Sequence, residues 1–245
     1  MYLDAGRCHD LAPLVEFPAD QIVKLLGRAA ADGTGLLLEE RVAFRRELAV
    51  LVARSPSGQA AAWPVVETVQ TDGICTDVLA PAPELDAGLA AAAVHAGLRV
   101  AGELDVTGVL AVELFEVEGA DGTPAFVVNE LAMRPHNSGH WSMDGAVTGQ
   151  FEQHLRAVLD LPLGSPRPHA TWTVMANVLG GDYAELYPSY RHVMARDPDV
   201  KVHMYGKGVR QGRKIGHDNI CGGEPADPRE QDGHAADNIQ GDENE

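Results

Sequence analysis

The stretch that decides the fold is VLAVELFEVEGADGTPAFVVNELAMRPHNSGH, residues 109–140. Two apolar, β-branched runs, 107–118 and 124–133, flank Asp121-Gly122, a dipeptide suited to tight hairpin turns because both residues tolerate positive φ. A two-residue turn there sets Glu113 directly opposite Glu130. The shared face then reads Ala111, Glu113, Phe115 and Val117 on one strand and Phe126, Val128, Glu130 and Ala132 on the other. A three- or four-residue turn, or a bulge, would instead put the two acids on different faces.

Like charges facing each other across a strand pair are destabilising, and desolvated carboxylates cost several kcal/mol unless compensated. One remedy is a raised pKa and a shared proton. The other is a divalent cation between the two groups. A pair of carboxylates with open positions suits Mg²⁺, which keeps waters and accepts phosphate oxygens. The spacing therefore predicts Glu113 and Glu130 as metal ligands.

Working outward, Arg134, His136, Asn137, Ser138 and His140 crowd into seven residues punctuated by Pro135 and Gly139. Those two breakers exclude a helix, so the histidines are not a zinc pair spaced one turn apart. A polar loop leaving a metal-bearing strand is a natural place for anion and substrate contacts, a solvated loop being the plainer alternative. A second polar run, YGKGVRQGRKIGH (205–217), gathers Lys207, Arg210, Arg213, Lys214 and His217. It reads as a tight turn between short strands, either a solvated hairpin or a positive patch for a small phosphorylated or carboxylated ligand.

The rest of the chain fills in around these motifs. Residues 20–32 carry a helical period between Asp20, as N-cap, and Gly33. Strands are expected over 35–42, 45–53 and 60–69, a helix over 84–104, a polar loop over 134–145, a helix over 148–160, and strands within 171–180 and 199–217. Consecutive hairpins without regular βαβ alternation point to an α+β fold.

The formal charge of −17 argues against a protein that grips a nucleic-acid backbone or an anionic membrane. Residues 224–245 hold eight acids and one base, so −7 of the −17 belongs to a polar tail expected to be disordered. The three cysteines lie far apart and form no metal or disulfide pattern. No apolar run is long enough to span a bilayer. A cytoplasmic protein is the simplest expectation.

Several segments in order resemble the N5-carboxyaminoimidazole ribonucleotide synthetases, an ATP-grasp family of purine biosynthesis. They are LLLEERVAFRRELAVLVAR (36–54), PVVETVQTDGI (64–74), VLAVELF (109–115), NELAMRPHNSGHWSMDGAVTGQFEQHLRAVLDLPLG (129–164) and YGKGVRQGRKIGH (205–217). The resemblance implies a ligase using ATP and Mg²⁺. ATP phosphorylates bicarbonate to carboxyphosphate, and the carboxyl group passes to the N5 amine of 5-aminoimidazole ribonucleotide, releasing phosphate. It implies Glu113 and Glu130 as Mg²⁺ ligands. Glu39, Glu40, Arg41 and Val42 would hold adenine, Glu47 the ribose hydroxyls, with Gln70 at a further nucleotide contact and Asn129 at the phosphates. Arg134, His136 and Asn137 would meet substrate and carboxyphosphate, and Lys207 and Arg213 the ribonucleotide phosphate. Relatives form homodimers.

The domains expected on this basis are a non-matching segment and helix (1–34), part of an ATP-grasp domain (35–165), a β-rich C-terminal subdomain (166–221) and the acidic tail (222–245). Relatives carry an N-terminal subdomain, a lysine-bearing strand and a Gly-rich loop over the ATP phosphates, which residues 1–20 do not resemble. The expectation is therefore a truncated chain of low turnover. The alternatives are a remnant that binds nucleotide and metal only, or another ATP-grasp carboxylate–amine ligase.

Overall fold

The computed structural model describes residues 19–35, 41–71, 73–181 and 186–223. The chain divides into two units, Met1–Ala43 and Phe44–Glu245. The first contains α1 (Ala19–Asp32), in which Leu26 and Ala29 are buried. Asp20 lies inside this helix rather than capping it. Gly33 stops it with a positive φ of 66°, and the Thr34 N–H bonds the Ala29 carbonyl at 2.8 Å.

Among the described residues the second unit builds one antiparallel sheet of nine strands. They are β1 (Arg46–Arg54), β2 (Ala60–Ala62), β3 (Val66–Thr71), β4 (Ile74–Ala80), β5 (Gly108–Glu118), β6 (Pro124–Ala132), β7 (Trp172–Leu179), β8 (Lys201–Met204) and β9 (Lys214–Gly222). The order is β6-β5-β1-β3-β4-β7-β9-β8, with β2 also on β1. Among the described residues, four helices accompany the strands: α2 (Ala87–Glu103), α3 (Ser142–Gly145), α4 (Gln150–Val158) and α5 (Tyr187–Arg196). The α+β expectation holds.

β1 reads as a near-continuous apolar run because both its faces are covered. Leu48, Val50 and Val52 join Leu110, Val112 and Leu114 of β5 beneath α2. Ala49, Leu51 and Ala53 face the other way, toward Trp63, Trp141 and Met175. α2 starts where the Asp86 carboxylate accepts the Leu89 N–H at 2.8 Å. It buries a row of small residues, Ala93, Gly97 and Ala101. A Cβ on Gly97 would lie 3.0 Å from Val50 Cγ1, so this helix sits as close to the sheet as its backbone allows. Where β1 begins, Arg46 is almost fully buried and pairs with Glu116 at 2.5 Å and Glu67 at 2.8 Å. Losing either acid there would leave part of the guanidinium charge unbalanced.

Several expected elements are corrected. The strand over 60–69 is two strands: Pro64, which has no N–H, interrupts it, and the two pieces pair with different halves of β1. Trp63, at the break, is buried and donates its indole N–H to the Thr148 carbonyl at 3.1 Å. The expected loop over 134–145 contains a 3-10 turn (Asn137–Gly139) and the short helix α3. Strand β4 and helix α5 were not expected, since Asp77 breaks the alternation of the one and Pro188 obscures the other, although proline is tolerated in a first helical turn. The strand expected over 35–42 falls largely outside the described residues, and 41–44 form no strand. The tail expected to be disordered lies outside the described residues except for its first two positions.

Candidate active site

The site grows from the β5–β6 hairpin. Its turn is not the two-residue one expected. The Gly119 N–H bonds the Thr123 carbonyl at 2.7 Å, leaving Ala120, Asp121 and Gly122 as a three-residue loop with Gly122 at φ 78°. The extra residue shifts the outer register, so Leu114 faces Val128 and Phe115 faces Val127. A bulge then leaves Asn129 unpaired and shifts the register back, which brings Glu113 opposite Glu130 after all. The expected pair is correct, and the expected face is half wrong. Phe126 packs on the α2 side of the sheet, and Val127 rather than Val128 lies across from Phe115.

Glu113 is the half-buried member of the pair, and Glu130 is exposed. Burial pushes the Glu113 carboxyl above its ordinary value, and the facing Glu130 and Glu47 carboxylates push it further. Glu47 of β1 is raised by burial and hydrogen-bonded by Gln70 of β3. Three carboxylates thus converge on the sheet face that also carries Ala49 and Ala111. Arg134 and Lys214 work the other way on Glu113.

The loop after β6 closes over this cluster. The His136 ring places Nε2 3.2 Å from Glu113 Oε1. Its Nδ1 caps the 3-10 turn, accepting the Ser138 N–H. An accepting Nδ1 leaves the proton on Nε2, so the imidazole that lies against Glu113 is neutral. Burial and the nearby Arg134 lower the His136 pKa, in agreement with that neutral form. Asn137 reaches inward, its Nδ2 3.4 Å from Cys75 Sγ. Burial raises the Cys75 thiol to about 11, so it stays protonated near neutral pH. Arg134 is exposed, its guanidinium donating to the Pro135 carbonyl at 3.1 Å.

From the other side comes β9. Lys214 is partly buried and acts electrostatically on both Cys75 and Glu113. Lys207 and Arg213 lie in the exposed loop between β8 and β9. Lys207 Nζ stands 4.9 Å over the Tyr205 ring and 3.4 Å from the Lys214 carbonyl, and Arg213 bonds the Gly208 carbonyl at 3.3 Å. His217 does not belong to this positive patch. It is buried in β9, its Nδ1 2.8 Å from the Tyr205 hydroxyl, and burial lowers it to about 3.

The structure therefore gathers Glu47, Gln70, Glu113, Glu130, Arg134, His136 and Asn137, with Asn129 at the bulge beside them and Lys207 and Arg213 in the adjoining loop. Glu39 and Glu40 lie outside the described residues. Arg41 and Val42 belong to the first unit, in an irregular segment. The sequence reading missed Gln150, His203 and Asn219 as parts of the site's surroundings, and did not single out Lys214 from its basic neighbours. The alternation along β9 was the only signal for Lys214.

Opposed glutamates on an antiparallel sheet, with a polar loop folded over them, are the arrangement that the ATP-grasp resemblance implies. Comparison with known proteins agrees. The ATP-grasp domain model matches residues 16–151, and that of the phosphoribosylaminoimidazole carboxylase C-terminal domain matches residues 173–231. The N5-carboxyaminoimidazole ribonucleotide synthase of Mycobacterium tuberculosis strain H37Rv is 59% identical over 199 residues, 80% of this chain and 46% of the relative. That of Corynebacterium ammoniagenes is 51% identical over 212 residues, 85% of this chain and 51% of the relative. The crystal structure of the Thermus thermophilus synthetase superposes with a TM-score of 0.72 at 41% identity, over 84% of this chain and 53% of that one. The Aspergillus clavatus synthase, solved with ADP and 5-aminoimidazole ribonucleotide, superposes with a TM-score of 0.81 at 27% identity, over 96% and 65%. The chain belongs to the N5-carboxyaminoimidazole ribonucleotide synthase family of ATP-grasp proteins. It spans about half the length of the curated relatives it matches.

Proposed function

We propose that the protein carries out the ATP-dependent carboxylation of 5-aminoimidazole ribonucleotide with bicarbonate, through carboxyphosphate, in purine biosynthesis. The observation that carries this reading is the Glu113–Glu130 pair, with His136 on Glu113 and Lys214 beside it. The donors fit Mg²⁺. They are carboxylate oxygens with open positions, and burial together with the Glu130 and Glu47 carboxylates holds Glu113 above its ordinary pKa, a penalty that a bound cation would relieve. Glu113 and Glu130 would hold the ion, which when bound supplies neutralisation of phosphoryl charge.

The remaining residues bind and orient. Neutral His136 lies against Glu113 and confines that carboxylate without competing for it as a cation. Glu39, Glu40, Arg41 and Val42 are assigned to adenine, Glu47 and Gln70 to the nucleoside, and Asn129 with Glu130 to the phosphates. Arg134, His136 and Asn137 are assigned to the substrate and carboxyphosphate, and Lys207 and Arg213 to the ribonucleotide phosphate. Carboxyphosphate is short-lived in water, so the loop over the carboxylates also serves to exclude solvent. The domain division near residue 165 and a cytoplasmic location belong to the same reading. So does a homodimer, which the exposed apolar row Phe151, Leu155 and Leu159 could serve.

The test is ADP release from Mg-ATP with bicarbonate and 5-aminoimidazole ribonucleotide, each omitted in turn. The expected result is release that needs all three. Release indifferent to bicarbonate would overturn the reading. Mg²⁺-dependent ADP binding without turnover would instead support a module that binds nucleotide and metal only.

A further inference from the structure

Gln150, the first residue of α4, is fully buried, and its side chain is spent entirely on the loop that covers the carboxylates. Its Oε1 accepts the His136 N–H at 2.9 Å. Its Nε2 donates to the His136 carbonyl at 2.7 Å and lies 2.9 Å from His140 Nδ1. One orientation of the amide satisfies all three partners: oxygen toward the N–H, nitrogen toward the carbonyl and the imidazole. The Gln150 backbone is held in turn, its N–H bonding Ser142 Oγ at 2.9 Å while that hydroxyl donates to the Gly139 carbonyl at 2.5 Å.

We propose that Gln150 is a positioning residue: its one amide clamps the backbone of His136 so that the ring meets Glu113, and fixes His140 as the neutral Nε2–H tautomer.

The second half of the proposal follows from donor counting. Both Nε2 protons of Gln150 are directed, one to the carbonyl and one to His140 Nδ1, so that nitrogen must accept and the ring must be neutral. His140 then heads a column of imidazoles, stacked 4.6 Å from His217, which stacks 4.8 Å from His203. The far end is anchored where Asp144 Oδ2 lies 2.7 Å from His203 Nε2 and 2.6 Å from Asn219 Nδ2. The groups facing His140 are Gln150 and Phe151 from α4, His217 from β9 and Tyr205 from the β8–β9 loop. Burial holds it down to about 4, and the ionisable neighbours His136, Lys214 and His203 act in the same direction. α4 thus links two layers: the catalytic loop in front and the imidazole column behind.

Gln153, one turn on in the same helix, supplies a matched control. It is as buried, and it clamps Gly164 by the same two backbone bonds, each 2.8 Å, away from the carboxylates. The experiment records imidazole ¹⁵N spectra of the histidine-labelled full chain at pH 7.5 and 5.5, together with Mg²⁺-dependent ADP affinity. The variants are Gln150→Glu, Gln150→Met and Gln153→Leu. In the parent protein His140 is expected to stay neutral, with the proton on Nε2, at both pH values. A carboxylate cannot donate to Nδ1, so Gln150→Glu is expected to leave His140 protonated at pH 5.5. Gln150→Met is expected to remove the single tautomer. Both are expected to weaken Mg·ADP binding roughly tenfold or more, the usual effect of removing support behind a metal ligand. Gln153→Leu is expected to lower stability and move neither signal.

The proposal is overturned if the Gln150 variants keep the parental His140 signals, or if Gln153→Leu moves them equally. The nucleotide arm rests on the function proposed above, and the imidazole arm does not. If the parent protein fails to bind Mg·ADP, that function is refuted and the His140 signals alone decide the positioning role. Either Gln150 variant suffices should the other fail to fold.

Discussion

Between pH 6.5 and 5 the protein is expected to lose stability through its buried histidines. His140 and His217 are held at about 4 and about 3, against an ordinary 6.5. The folded state therefore binds fewer protons than the unfolded chain. Their contribution is complete above pH 6.5 and is lost as pH falls toward the folded-state values. Each imidazole costs at most about 1.4 kcal/mol per pH unit, hence about 2 kcal/mol at pH 5 and about 4 kcal/mol for the two together. Glu47 and Glu113 act in the opposite sense, because their raised values favour the folded state as pH falls toward the ordinary carboxylate range. The net loss is thus somewhat smaller than the histidines alone would give. Denaturant midpoints of the parent protein and His217→Gln at pH 7.5 and 5 check this. The variant keeps an acceptor for the Tyr205 hydroxyl and should lose about half of the pH dependence. Parallel profiles would remove His217 from the account.

Gly139→Ala is expected to cost about 2–6 kcal/mol. A methyl group there would overlap both Leu51 Cδ2 in the core and Gln150 Oε1. Overpacking a core position costs about 1–3 kcal/mol, and displacing a buried amide from its partners costs about as much again. Gly139 is needed for close approach, since its own φ is not in the left-handed region. Thermal or denaturant unfolding measures the loss, and a change under about 0.5 kcal/mol, the size of an ordinary surface substitution, would show that the loop yields without strain.

How much of this was legible in the sequence depends on how local the determinant is. Asp121-Gly122 and the apolar runs beside it announce a hairpin, and the hairpin is there. Turn length and bulge were not legible, because Gly119 to Thr123 support either a two- or a three-residue loop. The Glu113–Glu130 pairing survives only because the bulge at Asn129 cancels the longer turn. Gln150 reads as an ordinary helical residue, and only the return of α4 beneath the loop reveals its partners. The imidazole column depends on the His203–His217 register and on where residue 140 turns inward, both set by contacts distant in sequence. The polarity that makes His217 resemble a neighbour of Lys214 in the sequence is overridden by its burial in β9. Glu47 and Gln70, by contrast, were placed at the nucleotide by resemblance, and the strand pairing of β1 with β3 brings them together.

On the proposed function, the opposed carboxylates bind nucleotide through Mg²⁺. The most direct measurement is calorimetric titration of ADP into the parent protein and Glu130→Gln, with and without Mg²⁺. Mg²⁺ is expected to tighten binding at least about tenfold in the parent protein, and Glu130→Gln is expected to lose this gain, since Mg²⁺ is typically held by one or two carboxylates together with phosphate oxygens. Equal affinity with and without Mg²⁺ in the parent protein, or an undiminished gain in Glu130→Gln, would contradict it.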